Sequence, residues 1–199
     1  MPPTRRQLLA AAGAATGAAL VAPPAALAAT GAKAMAPIPV PERLQRLIRL
    51  ELLLLFCYQH VLSSGILSPR ARRTLTPFAG QEQAHIHALE AQQRARGGTI
   101  PPGPGSVREA NRDLARRKVG GRLGQLRGDL DAVRLLLTTE QVTIGAYFVA
   151  LNTLDEPHLI ELACQIMANE AQHDAMLALL LPPGKIGSAV PYGLVQGLQ

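Results

Sequence analysis

Two copies of the pattern Glu-x-x-His, Glu82 with His85 and Glu170 with His173, each follow a lone glutamate set in an apolar run, Glu51 and Glu140. Residues three apart on a helix share a face, so each pair aims a carboxylate and an imidazole at one point. The separations repeat, with 31 residues from Glu51 to Glu82 and 30 from Glu140 to Glu170. Two helical hairpins of nearly the same build are implied, and packed together they bring these six residues to one dinuclear metal centre. Carboxylate and imidazole donors suit Fe or Mn; Zn more often takes fewer ligands, and Ca disfavours imidazole. Glu51 lies in LIRLELLLLFCY, apolar on nearly every side of a helix. An ionised carboxylate buried there costs several kcal/mol unless it is paired or coordinates a metal. Four such carboxylates repel one another, and two divalent cations neutralise all four. A single Glu-x-x-His is commonly only a surface pair, and a bundle that keeps the fold without the chemistry is the competing reading of the set.

The elements that must position these residues are helical. The chain has 199 residues, 48% of them hydrophobic but only 3% aromatic, with no Trp. That length suits one domain with one core, and abundant Leu and Ala favour helix-on-helix packing over a sheet. The first helix is expected from near Pro41 to about Ser64, before Gly65. Ser68-Pro69 opens the second, with a kink or restart at Pro77 and the helix proper over Phe78 to Arg96, ending at Gly97-Gly98. Thr99 to Gly105 is too rich in Pro and Gly for regular helix and begins a long crossover. Ser106 caps a short helix to about Val119, a third long helix spans about Asp129 to Leu154, and the fourth starts at Asp155-Glu156-Pro157 and stops before Pro182.

Residues 1–29 read as a twin-arginine export signal. Arg5-Arg6 precede an Ala/Leu stretch through Val21, and Ala26-Leu27-Ala28 satisfies the small-x-small rule for cleavage. The apolar stretch is short and rich in Ala and Gly for a membrane span; a retained anchor is the alternative. Residues 30–40 are expected as a loose leader, 41–181 as the bundle and 182–199 as an irregular tail in which Val190-Pro191-Tyr192 docks back. The expected location is periplasm, cell envelope or extracellular space. The formal net charge is +6, and loss of Arg5 and Arg6 lowers it by two. The excess gathers between Val107 and Arg127 without an aromatic residue for base stacking, so a solvated helix face is favoured and no nucleic-acid partner is expected.

Short turns within each hairpin and a long crossover between them make an all-α, four-helix bundle of the ferritin-like type. The six-residue constellation resembles that of ferritin-like di-iron and di-manganese carboxylate proteins such as bacterioferritins, rubrerythrins and manganese catalases. The words HALEAQQRARGGTIP and VPYGL are similar to exported bacterial ferritin-like domain proteins, so the resemblance spans about Pro41 to Tyr192. It implies Glu82 and Glu170 as bridging carboxylates, Glu51 and Glu140 as terminal ones, and one imidazole per metal from His85 and His173. The implied cofactor is two Fe or two Mn ions, and the implied activity is that of an oxidase, peroxidase or ferroxidase reacting with dioxygen or hydrogen peroxide. No Cys-x-x-Cys is present, so a peroxidase of this kind needs an external electron donor. The competing class is a non-enzymatic metal-binding or stress and envelope scaffold. A homo-oligomer fits either class, and a cage is disfavoured because a Pro/Gly tail stands where ferritin cages commonly use a short fifth helix.

Tyr58 and Tyr147 sit seven residues after Glu51 and Glu140, two turns on and on the same face. Helical side chains lean toward the N-terminus and the first and third helices run antiparallel, so each hydroxyl is expected to cross to the other hairpin, Tyr58 to Glu140 and Tyr147 to Glu51. Core packing alone is the other reading of both rings. His60, His87 and His158 read as structural or exposed. Cys57 lies six residues after Glu51 and Cys164 six before Glu170 on parallel helices. At ~1.5 Å per residue they stand ~18 Å apart, too far for a disulfide, and both are expected as buried free thiols.

Overall fold

The computed structural model describes residues 38–182. The expected signal, most of the leader and the tail with Val190-Pro191-Tyr192 lie outside the described residues. Those described form α1 (Val40–Ser63), α2 (Pro69–Ala95), α3 (Val107–Arg116), a 3-10 turn (Leu123–Gln125), α4 (Asp129–Leu151) and α5 (Pro157–Leu180), with no strand. Helices α1 and α2 pack as one hairpin and α4 and α5 as the other; α1 meets α4, and α2 meets α5, across the bundle. None of these helices is long and apolar enough to cross a membrane.

The helix boundaries follow local chemistry. Ser68 caps α2, its hydroxyl accepting from the Ala71 N–H, and Ser106 caps α3 by accepting from the Glu109 N–H. The Ser68 amide and hydroxyl also both donate to the Asp129 carboxylate, at 2.7 and 2.5 Å, tying the first hairpin's turn to the start of α4. At the end of α2, Gly97 takes φ +67°, a conformation that a Cβ would oppose. α3 stops at Arg116 instead of Val119, with Lys118 at φ +61°, and α4 stops at Leu151 instead of Leu154.

The expected restart at Pro77 does not occur. α2 is continuous from Pro69 to Ala95 with Pro77 inside it. Pro77 is exposed while Leu75 and Phe78 on either side are buried, so core packing holds the helix through the one backbone hydrogen bond the imide lacks.

The core is divided in two. One apolar cluster joins Leu53, Leu54, Cys57 and Val61 of α1 to Leu75, Leu135 and Leu177, and takes in Ala110, Leu114 and Leu123 from the crossover. The other joins Leu44, Leu47 and Ile48 to Leu89, Ala150, Leu159 and Ile166 at the opposite end of the bundle. Between them lies a polar layer at Glu51, Glu82, Glu140 and Glu170. Pro77→Ala restores the missing N–H at an exposed position, and should stabilise the protein by about 1–3 kcal/mol in denaturant unfolding.

Candidate metal centre

Each of the four long helices contributes to the polar layer, Glu51 from α1, Glu82 and His85 from α2, Glu140 from α4, Glu170 and His173 from α5. All four glutamates are fully buried; His173 is 1% exposed and His85 9%. Their donor atoms form two groups, Glu51, Glu82, His85 and Glu170 in one and Glu82, Glu140, Glu170 and His173 in the other, each with its donors within 4.8 Å of one another. Glu82 and Glu170 belong to both.

The distances repeat under exchange of the hairpins. His85 Nδ1 lies 3.5 Å from Glu51, 3.5 Å from Glu82 and 3.0 Å from Glu170. His173 Nδ1 lies 3.4 Å from Glu140, 3.4 Å from Glu170 and 2.9 Å from Glu82. Donors held ~2.1 Å from one ion and at right angles stand ~3 Å apart, which is the spacing found. Eight buried polar atoms of these six residues have no hydrogen-bond partner: Glu51 Oε2, both oxygens of Glu82, His85 Nδ1, Glu140 Oε2, both oxygens of Glu170 and His173 Nδ1. Buried polar atoms are normally satisfied, so eight orphans facing one another mark a place shaped for cations. The residues fit a pair of metal ions.

The remaining oxygens of the terminal glutamates are held by tyrosine. Tyr147 donates its hydroxyl to Glu51 Oε1 at 2.5 Å, and Tyr58 donates to Glu140 Oε1, each hydroxyl reaching the other hairpin. Both rings are fully buried. The crossing that sequence spacing predicts is present in both directions.

Electrostatics without a metal follow from crowding. Burial first, and then the charge of Glu170, raise the carboxyls of Glu51 and Glu140 well above the usual range. Burial and then the nearby carboxylates likewise raise both tyrosine hydroxyls. Burial alone would depress His85, but contact with Glu170, Glu51 and Glu82 outweighs it and its pKa is pushed up to about 12. His173 is raised on the same balance, chiefly by Glu170 and Glu82. Glu170 goes the other way: burial would raise it, but close contact with Glu140 and both imidazoles outweighs that and lowers it. In the metal-free protein, protons thus take the place of cations in the layer.

The two halves differ in what stands behind the imidazoles. His173 Nε2 donates to Gln81 Oε1 at 2.7 Å, and its ring stacks on Phe78 at 4.2 Å. With Nε2 engaged in this way, Nδ1 is the nitrogen that faces the carboxylates, able to hold a proton there or to ligate a metal. His85 has no protein partner at Nε2 among the described residues and is the more exposed ring. Sequence spacing does not identify Gln81, Phe78 or Asp174. Asp174 is buried beside Gln141, and burial pushes its pKa up to about 6 against the lowering effect of Gln141.

The other histidines serve elsewhere: half-buried His60 contacts the Leu123 carbonyl, His87 pairs with Gln83, and His158 with Arg96. No disulfide joins the cysteines, but only Cys57 is buried, with its thiol pushed up to about 12 by burial; Cys164 is exposed. Among the described residues α5 packs chiefly on α4 and α2, which leaves Cys164 exposed, whereas the crossover covers α1 around Cys57. The basic stretch is largely the solvated face expected, with Arg108, Arg112, Arg116, Lys118, Arg122 and Arg127 exposed; Arg116, Arg117 and Lys118 also line an open groove with α1 arginines.

The sequence matches the ferritin-like domain family over residues 40–182. A conserved hypothetical protein of Mycobacterium tuberculosis has a similar structure, with TM-score 0.58 and 17% identity, covering 75% of this chain and 95% of that one. No curated protein matches.

Raised pKa values at Glu51, Glu140, His85 and His173 mean that the metal-free fold holds protons the unfolded chain has released. Their contribution is full below the unfolded values and is lost as pH rises through the folded ones; Glu170, depressed, contributes above its unfolded value and only at the acid end opposes the trend. The chelator-treated protein should therefore melt lower at about pH 9 than at about pH 6, and divalent metal should remove that decline by displacing the protons. In thermal melts near neutral pH, Glu51→Gln should be neutral or stabilising by up to about 1 kcal/mol without metal and destabilising with it, since an amide stays neutral in the crowded layer at any pH but removes a ligand.

Proposed function

We propose that this chain, which belongs to the ferritin-like domain family, holds two iron or two manganese ions between its hairpins and reacts with dioxygen or hydrogen peroxide as an oxidase, peroxidase or ferroxidase. The observation that carries the reading is the set of eight unpartnered buried atoms on six residues. Glu82 and Glu170, common to both donor groups, would bridge the ions; Glu51 with His85 and Glu140 with His173 would complete one ion each. Two divalent charges offset four carboxylates, so the loaded layer is neutral and compatible with the apolar clusters on either side. The ions when bound supply one electron each or more and a Lewis-acidic seat for the oxidant.

The chain's own residues do the rest. Tyr147 and Tyr58 fix the rotamers of Glu51 and Glu140 through hydrogen bonds from the opposite hairpin, so each terminal carboxylate presents a set oxygen inward. Both phenols are kept protonated by burial and by the carboxylates beside them, which leaves each able to give up an electron while its proton passes to the glutamate oxygen it already contacts. Gln81 and Phe78 hold His173 in place. The more exposed His85 side is where solvent-borne small molecules would arrive. Arg5-Arg6 and Ala26-Leu27-Ala28 support export by the twin-arginine route, which carries folded proteins, and an external electron donor would complete a peroxidase cycle.

Anaerobic loading with Fe(II) or Mn(II), metal analysis, and then addition of oxygen or peroxide test the reading. Two ions per chain and oxidant consumption faster than that of the free ion are expected; two ions without such consumption would leave a metal-binding scaffold. Tyr58→Phe and Tyr147→Phe should each keep both ions while slowing oxidation about 10-fold or more.

A further inference from the structure

Among the described residues the face shared by α1 and α4 is only half covered. The crossover packs Ala110, Leu114 and Leu123 into the apolar cluster at one end of that face. At the other end an open groove of about 1050 Å³ runs between the two helices, at the upper edge of ligand-pocket sizes. Its floor is aliphatic, with Leu47 and Leu50 from α1 and Val142, Ala146, Val149 and Ala150 from α4. Among the described residues no aromatic and no acidic side chain lines it. Six cations do: Arg43, Arg46 and Arg49 at three-residue spacing on α1, and Arg116, Arg117 and Lys118 where α3 ends.

The charge is poorly answered by the protein itself. Arg46 pairs with Glu42 and Arg116 with Asp113, both in exposed local pairs of little strength. Arg43 donates to the Thr153 carbonyl. Among the described residues Arg49, Arg117 and Lys118 pair with no carboxylate. Arg117 is half-buried, and burial holds its guanidinium below the ordinary arginine range against the opposite pull of Asp113. Neither 1–37 nor 183–199 contains an Asp or Glu, so those segments bring no acidic side chain to the groove.

We propose that this groove binds a long-chain carboxylate, its alkyl chain along the aliphatic floor and its head at Arg49, Arg117 and Lys118. An alkyl body fits because the floor offers methyl and methylene groups and no ring for a base or an aromatic ligand to stack on. An anionic head fits because guanidinium and ammonium donors without acidic partners favour a carboxylate by charge-assisted hydrogen bonds. None of the six Glu/His residues lines the groove.

Equilibrium binding of dodecanoate below its micelle threshold to the full chain tests this, with dodecyltrimethylammonium as the cationic counterpart. One dodecanoate per chain and no comparable binding of the cation are expected. Arg49→Glu reverses a head contact at an exposed position, and Val149→Asp places a carboxylate over the floor at a position 57% exposed. Both should keep the parent's helicity and melting temperature and weaken dodecanoate roughly tenfold or more. Equal binding of the two amphiphiles, or unchanged affinity in both variants, overturns the proposal. So does a parent chain that ignores dodecanoate but self-associates until Val149→Asp disperses it, which assigns the groove to a second copy. Binding only to phosphatidylglycerol vesicles overturns it as well, in favour of a membrane surface.

Discussion

Burying four carboxylates within reach of one another is tolerable only if positive charge enters the same space. Glu51, Glu82, Glu140 and Glu170 have no solvent exposure, and every helix of the bundle is committed to bringing one of them inward. Without metal, the imidazoles and shared protons partly supply the charge, and the pKa values of the layer are displaced accordingly. The apolar clusters on either side exclude water and raise the penalty for any imbalance. The centre and the core are thus one energetic problem.

The tyrosines extend that coupling to the way the hairpins meet. Each hairpin supplies a terminal glutamate, a shared glutamate and an imidazole, yet each terminal glutamate is oriented by the tyrosine of the opposite hairpin. The register of α1 against α4 therefore sets the geometry of both halves at once. The repeat is not perfect. His173 has Gln81 and Phe78 behind it, while the position equivalent to Gln81 in the other hairpin is Asn169, with no hydrogen bond to His85 among the described residues. One half is rigidly backed and the other is open toward solvent.

The crossover does more than join the hairpins. By covering part of the α1–α4 face it buries Cys57 and completes one apolar cluster, and the rest of that face is, among the described residues, an open groove with a cationic rim at Arg116–Lys118. Among the described residues no such segment covers α5 at Cys164, which is exposed. The same bundle geometry gives buried and exposed thiols according to where one irregular segment runs.

Ligand types, their spacing of three within each pair and about thirty between pair and lone glutamate, the Ser caps and the Gly stops were all local properties, and the helices, their order and the six-residue convergence were legible from them. The tyrosine crossing was legible too, because side-chain lean and antiparallel packing are fixed by helix geometry. Local rules misjudged a restart at Pro77, since its neighbours' packing outweighs one lost hydrogen bond, and the burial of Cys164, since burial depends on which elements cover a face. Gln81 beside His173, Asp174 beside Gln141, and six cations around one groove involve residues from different helices whose meeting no periodicity encodes. The sequence by itself determined which side chains each helix would present. Only the tertiary structure decided which faces would be covered, because that depends on the path of the crossover and the docking of the hairpins, and with it which charges would go unanswered.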